Sequence, residues 1–283
     1  MDAPKQRGPT KQRSPFLVNQ ALLARAMLRR LLLSGTVLIV SLAIVLTSCD
    51  FGGRPPRRLV CQNNLKQVAI ALHNYVRANG SFPPAYVADK DGKPMHSWRV
   101  LILPFLEEAA LYNEYDFSEP WDGPHNSRLT EKCPAVFRCP SASNQNPSAT
   151  NYVAVVGDRA FWPGSKSVQF QDIKDGLSNT IMLVEVADSD INWMEPRDMA
   201  FEQAIVGLNV DKRGGISSNH GYGADVAFGD GSIRELFDDL SPATLKALLT
   251  IAGGEKIEMG QDGTFSVCPP ATTTPSVPRS GEL

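Results

Sequence analysis

An α+β fold is predicted by the order of patterns along the chain: a helical periodicity comes first, strand-like segments follow, and neither a repeating βα unit nor an internal repeat is visible. The helical pattern is the recurrence of Leu65, Val68, Ala69, Leu72, Tyr75 and Val76 at three- and four-residue spacing, which puts one apolar stripe on a helix over residues 59–79. Asn79-Gly80 stops it, and Pro83-Pro84 prevents its resumption. Asp89-Lys90-Asp91-Gly92 then has the composition of a turn, so residues 85–88 and 93–97 read as a hairpin. A second helix is expected over residues 98–115, bent or restarted at Pro104, and residues 116–150 are turn-rich. Strand candidates are residues 152–156, 180–186 and 199–206, then 224–228 paired with 232–237 across Gly229-Asp230-Gly231. Ser241-Pro242 is an N-cap followed by proline at the first helical position; Leu245, Leu248 and Leu249 carry that helix to Gly253-Gly254. The Thr-, Pro- and Ser-rich tail, residues 269–283, is expected to lack a fixed structure.

The amino-terminal fifth of the chain has a different logic. Arg29-Arg30 precedes an uncharged stretch, residues 31–46, which closes on Leu46-Thr47-Ser48-Cys49. A basic flank, a short apolar region and small residues at a cut site describe a secretory signal. A site ending in cysteine resembles a bacterial lipobox, in which Cys49 takes the lipid and becomes the first residue of the mature chain. The alternative, an uncleaved transmembrane anchor, asks for roughly 20 apolar residues and gives no reason for the Ser-Cys ending. Met27 offers a second start that would leave a signal of ordinary length. Residues 1–48 are therefore read as a cytoplasmic lead and signal, 49–58 as a lipidated tether, 59–268 as the folded domain and 269–283 as a tail. The implied location is the cell envelope, on a membrane through Cys49 and facing the periplasm or exterior.

Charge supports that division. Lys5, Arg7, Lys11, Arg13, Arg25, Arg29 and Arg30 crowd the lead, while the chain as a whole carries a net charge of −2. The remainder is thus acidic, which argues against a nucleic-acid partner. Beyond Cys49 lie Cys61, Cys133, Cys139 and Cys268. Outside the cytoplasm an even set reads as disulfides, and four cysteines allow three pairings among which spacing does not choose. A zinc site is disfavoured, since Cys133 and Cys139 do not form Cys-x-x-Cys and no histidine stands at ligand spacing; neither metal nor cofactor is expected.

Few motifs point to catalysis. The sequence lacks Gly-x-Ser-x-Gly, His-Glu-x-x-His, a Walker loop and Gly-x-Gly-x-x-Gly. Glu107-Glu108 are adjacent and point to different sides of a helix. Asp188-x-Asp190-x-Asn192 resembles the front of a calcium loop, but Trp193 replaces the required glycine and Met199 the bidentate glutamate, so these are read mainly as solvated loop carboxylates. Trp98, Trp121, Trp162 and Trp193 fit a core and its rim as well as a glycan or peptide site. His220 is placed on a loop near the 229–231 turn, where it could meet Asp225 or Asp230, and Asp230 is expected to bond its own turn amides.

Several segments together resemble one bacterial family. They are Cys61-Gln62-Asn63-Asn64-Leu65-Lys66-Gln67 with Leu72-His73-Asn74-Tyr75 and Gly80-Ser81-Phe82-Pro83-Pro84; Ser97-Trp98-Arg99-Val100 with Pro120-Trp121-Asp122; Cys139-Pro140-Ser141; Asp175-Gly176-Leu177-Ser178-Asn179-Thr180 with Glu185; and His220, nine intervening residues, then Asp230-Gly231. In this order they are similar to the prepilin-like proteins carrying domain of unknown function 1559, with its closing H-x9-D-G signature. The resemblance implies a pseudopilin-like fold, a long helix across an antiparallel sheet, and no reaction. It also implies pairing of Cys61 with Cys139, leaving Cys133 with Cys268. Family members typically begin with a prepilin signal, a Gly cut site before Phe-Thr-Leu-Ile-Glu; here the lipobox stands in its place. The expected function is a non-enzymatic envelope lipoprotein working through protein contacts. A solute- or glycan-binding lipoprotein is the alternative, and a hydrolase using His220 with Asp225 or Asp230 a third.

Overall fold

The computed structural model describes residues 56–143, 146–221 and 223–267. The lead, Cys49, Cys268 and the tail lie outside them. The first element, α1 (Arg57–Asn79), buries Cys61, Leu65, Val68, Ala69, Ala71, Leu72 and Val76, the stripe its sequence encodes. It ends where Gly80 takes a left-handed conformation (φ 83°) and returns its N–H to Val76 O at 2.7 Å, a position that favours glycine. Among the described residues no helix is long and apolar enough to cross a membrane.

The predicted hairpin forms between β1 (Tyr86–Ala88) and β2 (Pro94–Ser97). Asp89 closes it by accepting the amides of Asp91 (2.9 Å) and Lys93 (2.8 Å). The second predicted helix is broken into three. After α2 (Trp98–Leu101) comes a single 3-10 turn (Leu103–Phe105) holding Pro104, and α3 (Ala109–Glu114) starts only after Glu107 has turned to φ 63°. Proline removes an amide from the ladder and a left-handed residue reverses the chain, so the pattern bends twice rather than once.

Two of the expected strands also differ. Residues 152–156 split into β3 (Tyr152–Val153) and β4 (Val155–Val156), because the intervening Ala154 N–H donates to Asp198 Oδ1 (2.8 Å) instead of to a neighbouring strand. Next comes β5 (Ile181–Glu185). Of residues 199–206 only β6 (Met199–Ala200) is extended, pairing parallel with β4; α4 (Phe201–Ala204) follows, its start fixed by the Gln203 side chain accepting from Ala200 N at 3.0 Å. β7 (Gly223–Phe228) and β8 (Ile233–Phe237) form the expected hairpin, α5 (Pro242–Leu249) is capped by Ser241, and β9 (Ile257–Met259) pairs with β10 (Phe265–Val267).

The central sheet has the antiparallel order β3-β5-β7-β8. Strand side chains alternate between faces, and two cores follow. On one face Val153, Val184, Ala224, Val226 and Phe228 pack with Leu245 and Leu248 of α5. On the other, Tyr152, Leu183 and Ala227 share a cluster with Leu65, Val68 and Leu72 of α1. A long helix against an antiparallel sheet establishes the α+β class.

Three tryptophans belong to the core. Trp98, Trp162 and Trp193 are buried, with indole N–H groups donated to Asp198 Oδ2 (3.1 Å), Met182 O (2.6 Å) and Thr130 O (3.1 Å). Beneath Trp98 runs a buried ion pair, Arg99–Asp198. Arg99 also donates to Ser97 Oγ at 3.0 Å and to Tyr152 O at 3.3 Å.

Candidate functional site

The site follows from the sheet register. Tyr152 stands opposite Glu185, Asp225 opposite Glu235, and the Val184–Val226 pair brings Glu185 alongside Asp225 one step further. By alternation all four point toward α1, so a polar row crosses the sheet where the rest of that face is apolar. The first turns of α1 lie over it. Arg58, Cys61 and Gln62 are three and four residues apart and share one helix side. Arg58 pairs with Asp225 (3.3 Å) and Glu235 (2.5 Å), Gln62 donates to Asp225 Oδ1 (3.0 Å), and the Tyr152 hydroxyl donates to Cys61 O (3.3 Å).

Cys61 and Cys139 form a disulfide, as the resemblance implies, with Cα atoms 5.3 Å apart. It staples the start of α1 to the Cys139-Pro140 loop. Asn151 fixes that loop: its Oδ1 accepts Cys139 N (2.8 Å), while its amide nitrogen donates to Val186 O (2.9 Å) and Ala187 O (3.0 Å). Closing a loop of this length constrains the unfolded chain by about 4 kcal/mol in the chain-entropy picture.

His220 enters from the loop before β7. Its Nε2 lies 3.0 Å from Cys61 Sγ, 3.1 Å from Cys139 Sγ and 3.8 Å from Glu185 Oε1. Burial lowers its pKa, against the pull of the Asp225 charge, so the imidazole is neutral at pH 7. Glu185 is fully buried. Neither of its oxygens meets hydrogen-bond geometry with a donor, although the Ser218 hydroxyl and the Asp225 amide are near enough to oppose burial. Burial prevails and pushes its carboxyl up to about 7, because a charge taken out of water without a partner is costly. One atom each from Cys61, Cys139, Glu185 and His220 lies within 4.8 Å of the other three.

The expected partnership of His220 with Asp225 or Asp230 is therefore corrected. Asp225 Oδ1 is taken by Gln62 and Arg58. Asp230 serves its own turn, as expected, accepting Ser232 N (2.8 Å) and Oγ (2.6 Å). The physical reason is the length of β7: its six residues separate His220 at one end from Asp230-Gly231 at the other, roughly 20 Å of strand. The H-x9-D-G spacing thus measures a strand. Both ends still touch α1, His220 through Cys61 and Gly231 through its carbonyl, which accepts Lys66 Nζ at 2.6 Å.

The other candidates lie elsewhere. Cys133 forms no disulfide within the described residues, its expected partner Cys268 lying outside them; burial raises its thiol to about 12. Asp188 accepts from Ser143 Oγ, Asp190 pairs with Arg197 (3.0 Å) and Asn192 caps Met194 N (3.0 Å), so the three oxygens of the calcium-like motif are each engaged separately.

Residues 54–160 match the family described as protein of unknown function, DUF1559. Over this stretch, 107 of the 283 residues, the chain is similar to that family. No curated protein and no solved structure matches it. Within the site, the matched stretch supplies Arg58, Cys61, Gln62, Cys139 and Tyr152; Glu185, His220 and Asp225 come from beyond it.

Sequence reasoning found the cysteines and His220 and missed Glu185 as a site residue. The available signal was weak: a lone acid closing the apolar run Ile181-Met182-Leu183-Val184, in a strand whose buried face depends on partners far away in sequence.

Proposed function

We propose that this protein is a non-enzymatic lipoprotein of the cell envelope, anchored by lipid on Cys49, whose pseudopilin-like domain works through contacts with other envelope proteins. The observation that carries the contact role is β8, an edge strand of the central sheet. An open cleft of about 640 Å³ runs beside it, lined by Leu236, Phe237, Leu240, Phe265 and Val267. An unpaired strand edge beside apolar side chains is the arrangement that accepts an added strand or a partner's side chains. The Cys61–Cys139 disulfide suits an oxidising compartment.

The solute- or glycan-binding alternative loses support because Trp162 and Trp193 are core residues with satisfied indoles. The hydrolase alternative loses support because His220 faces a disulfide and not the carboxylates it would need. Two measurements test the proposal. A palmitate analogue should label the wild-type chain and not Cys49→Ala. A photo-crosslinker at Phe237 should give a discrete protein adduct in envelopes, with none from the same probe at Glu202. An unlabelled wild type refutes the anchor; equal crosslinking at both positions refutes the contact surface.

A further inference from the structure

We propose that Cys61, Cys139, His220 and Glu185 are the four ligands of a site for a thiolate-seeking divalent cation such as Zn²⁺, occupied when the disulfide is reduced, so that one buried cluster alternates between a covalent and a metal-held closure. This goes beyond the envelope role and does not depend on it.

Tetrahedral zinc with bonds of about 2.0–2.3 Å sets its ligand atoms about 3.3–3.8 Å apart. His220 Nε2 lies 3.0 and 3.1 Å from the two sulfurs and 3.8 Å from Glu185 Oε1, and all four ligand atoms fall within 4.8 Å of one another. Once the S–S bond is broken, the sulfurs need only part to about 3.8 Å, a side-chain adjustment at each cysteine. Glu185 supplies the independent sign of a ligand. It is fully buried, and neither oxygen is in hydrogen-bond geometry with a donor, although the Ser218 hydroxyl and the Asp225 amide stand near; buried carboxylate charges are otherwise paired or metal-bound. Two thiolates and one imidazole make a soft set that selects zinc-like ions over calcium or magnesium.

The ligands come from four separate segments: α1, the Cys139-Pro140 loop, the end of β5 and the loop before β7. That is why ligand spacing in the sequence showed nothing. Asn151 holds the Cys139 backbone, a supporting contact of the kind that orients first-shell ligands. Cys139 also lines an open groove with Val60, Asn64, Arg138 and Pro140, so of the four ligands it is one that borders solvent.

The exchange balances with a dithiol as reductant. Its two thiols deliver two electrons and two protons, becoming a disulfide, while Cys61 and Cys139 become thiols. Binding of the cation then releases both thiol protons, together with the Glu185 proton where it is present, and forms two metal–sulfur bonds, one metal–nitrogen and one metal–oxygen bond.

Cobalt(II) reports this directly. The full-length chain in detergent, reduced by a phosphine without oxygen, is titrated with Co²⁺. The expected result is one ion per chain with the visible absorption of tetrahedral cobalt and a thiolate-to-cobalt charge-transfer band, both abolished by added Zn²⁺. The oxidised chain and Cys61→Ser/Cys139→Ser should show neither band, Cys133→Ser should match the wild type, and Glu185→Gln and His220→Gln should each weaken binding at least about tenfold. Circular dichroism follows folding throughout. A reduced wild type without the charge-transfer band, folded or unfolded, overturns the proposal. So does binding of undiminished affinity in both Glu185→Gln and His220→Gln, which would make the site one of cysteines alone.

Discussion

Asp198 and Glu185 both have carboxylates closed off from water, yet their surroundings are opposite. Asp198 is saturated: Arg99 pairs with it, and Trp98 Nε1 and Ala154 N donate to it. Glu185 faces two sulfurs and a neutral imidazole, with no cation in contact and no donor in hydrogen-bond geometry. Burial raises both pKa values, but at Asp198 the Arg99 charge and three hydrogen bonds oppose it. The difference separates two uses of a buried charge. A satisfied pair locks one arrangement in place, here joining α2 to the loop before β6. An unsatisfied acid lowers stability and persists where something else depends on it.

The largest effect should come from breaking the satisfied pair. Asp198→Ala leaves Arg99 buried and uncompensated, and denaturant unfolding should show a loss of about 3–5 kcal/mol; a loss below about 1 kcal/mol would remove the contrast. Cys61→Ser/Cys139→Ser in the oxidised protein should cost about 4 kcal/mol in the same measurement. An unchanged midpoint would mean that α1 is held by its apolar stripe alone. Glu185→Gln should act in the other direction, raising stability at pH 8 by up to about 3 kcal/mol. Arg58→Gln should matter least, about 1–2 kcal/mol: Arg58 is one-third exposed and its pair with Glu235 is screened, but Asp225 is buried and keeps only Gln62 once its cation is gone. A loss comparable to that of Asp198→Ala would make the polar row a structural ion network like the Arg99 pair.

What the sequence made legible was local. The stripe of α1, its Gly80 stop, the Asp89 turn, the β7–β8 hairpin and the Ser241 cap each rest on residues a few positions apart, and each appears as expected. Residues 98–115, 152–156 and 199–206 depart from their patterns because tertiary and capping geometry override them: Glu107 adopts a left-handed backbone, Ala154 N–H turns away to a buried acid, and Gln203 caps a helix that ends the 199–206 strand early. The site was legible in halves. Cys61, Cys139 and His220 stood out by type, and the resemblance supplied the disulfide, but the partner of His220 was sought along the chain at Asp225 and Asp230. Glu185 became its neighbour only through the β3-β5-β7 register and the placement of α1, both set by contacts more than thirty residues apart. Arg99 and Asp198, nearly a hundred residues apart, were hidden for the same reason.

The contrast between the two acids is tested most directly by the unfolding free energy of oxidised, metal-free wild type and Glu185→Gln at pH 5 and pH 8. The folded-state pKa of Glu185 is raised to about 7, so its contribution to stability is fully present below the ordinary carboxylate pKa and is lost as pH rises through about 7. The wild type should therefore lose stability relative to Glu185→Gln between the two pH values, by on the order of 3 kcal/mol, with the variant the more stable at pH 8. A variant less stable than the wild type at pH 8 would contradict it, and would place Glu185 with Asp198 among the charges that hold the fold.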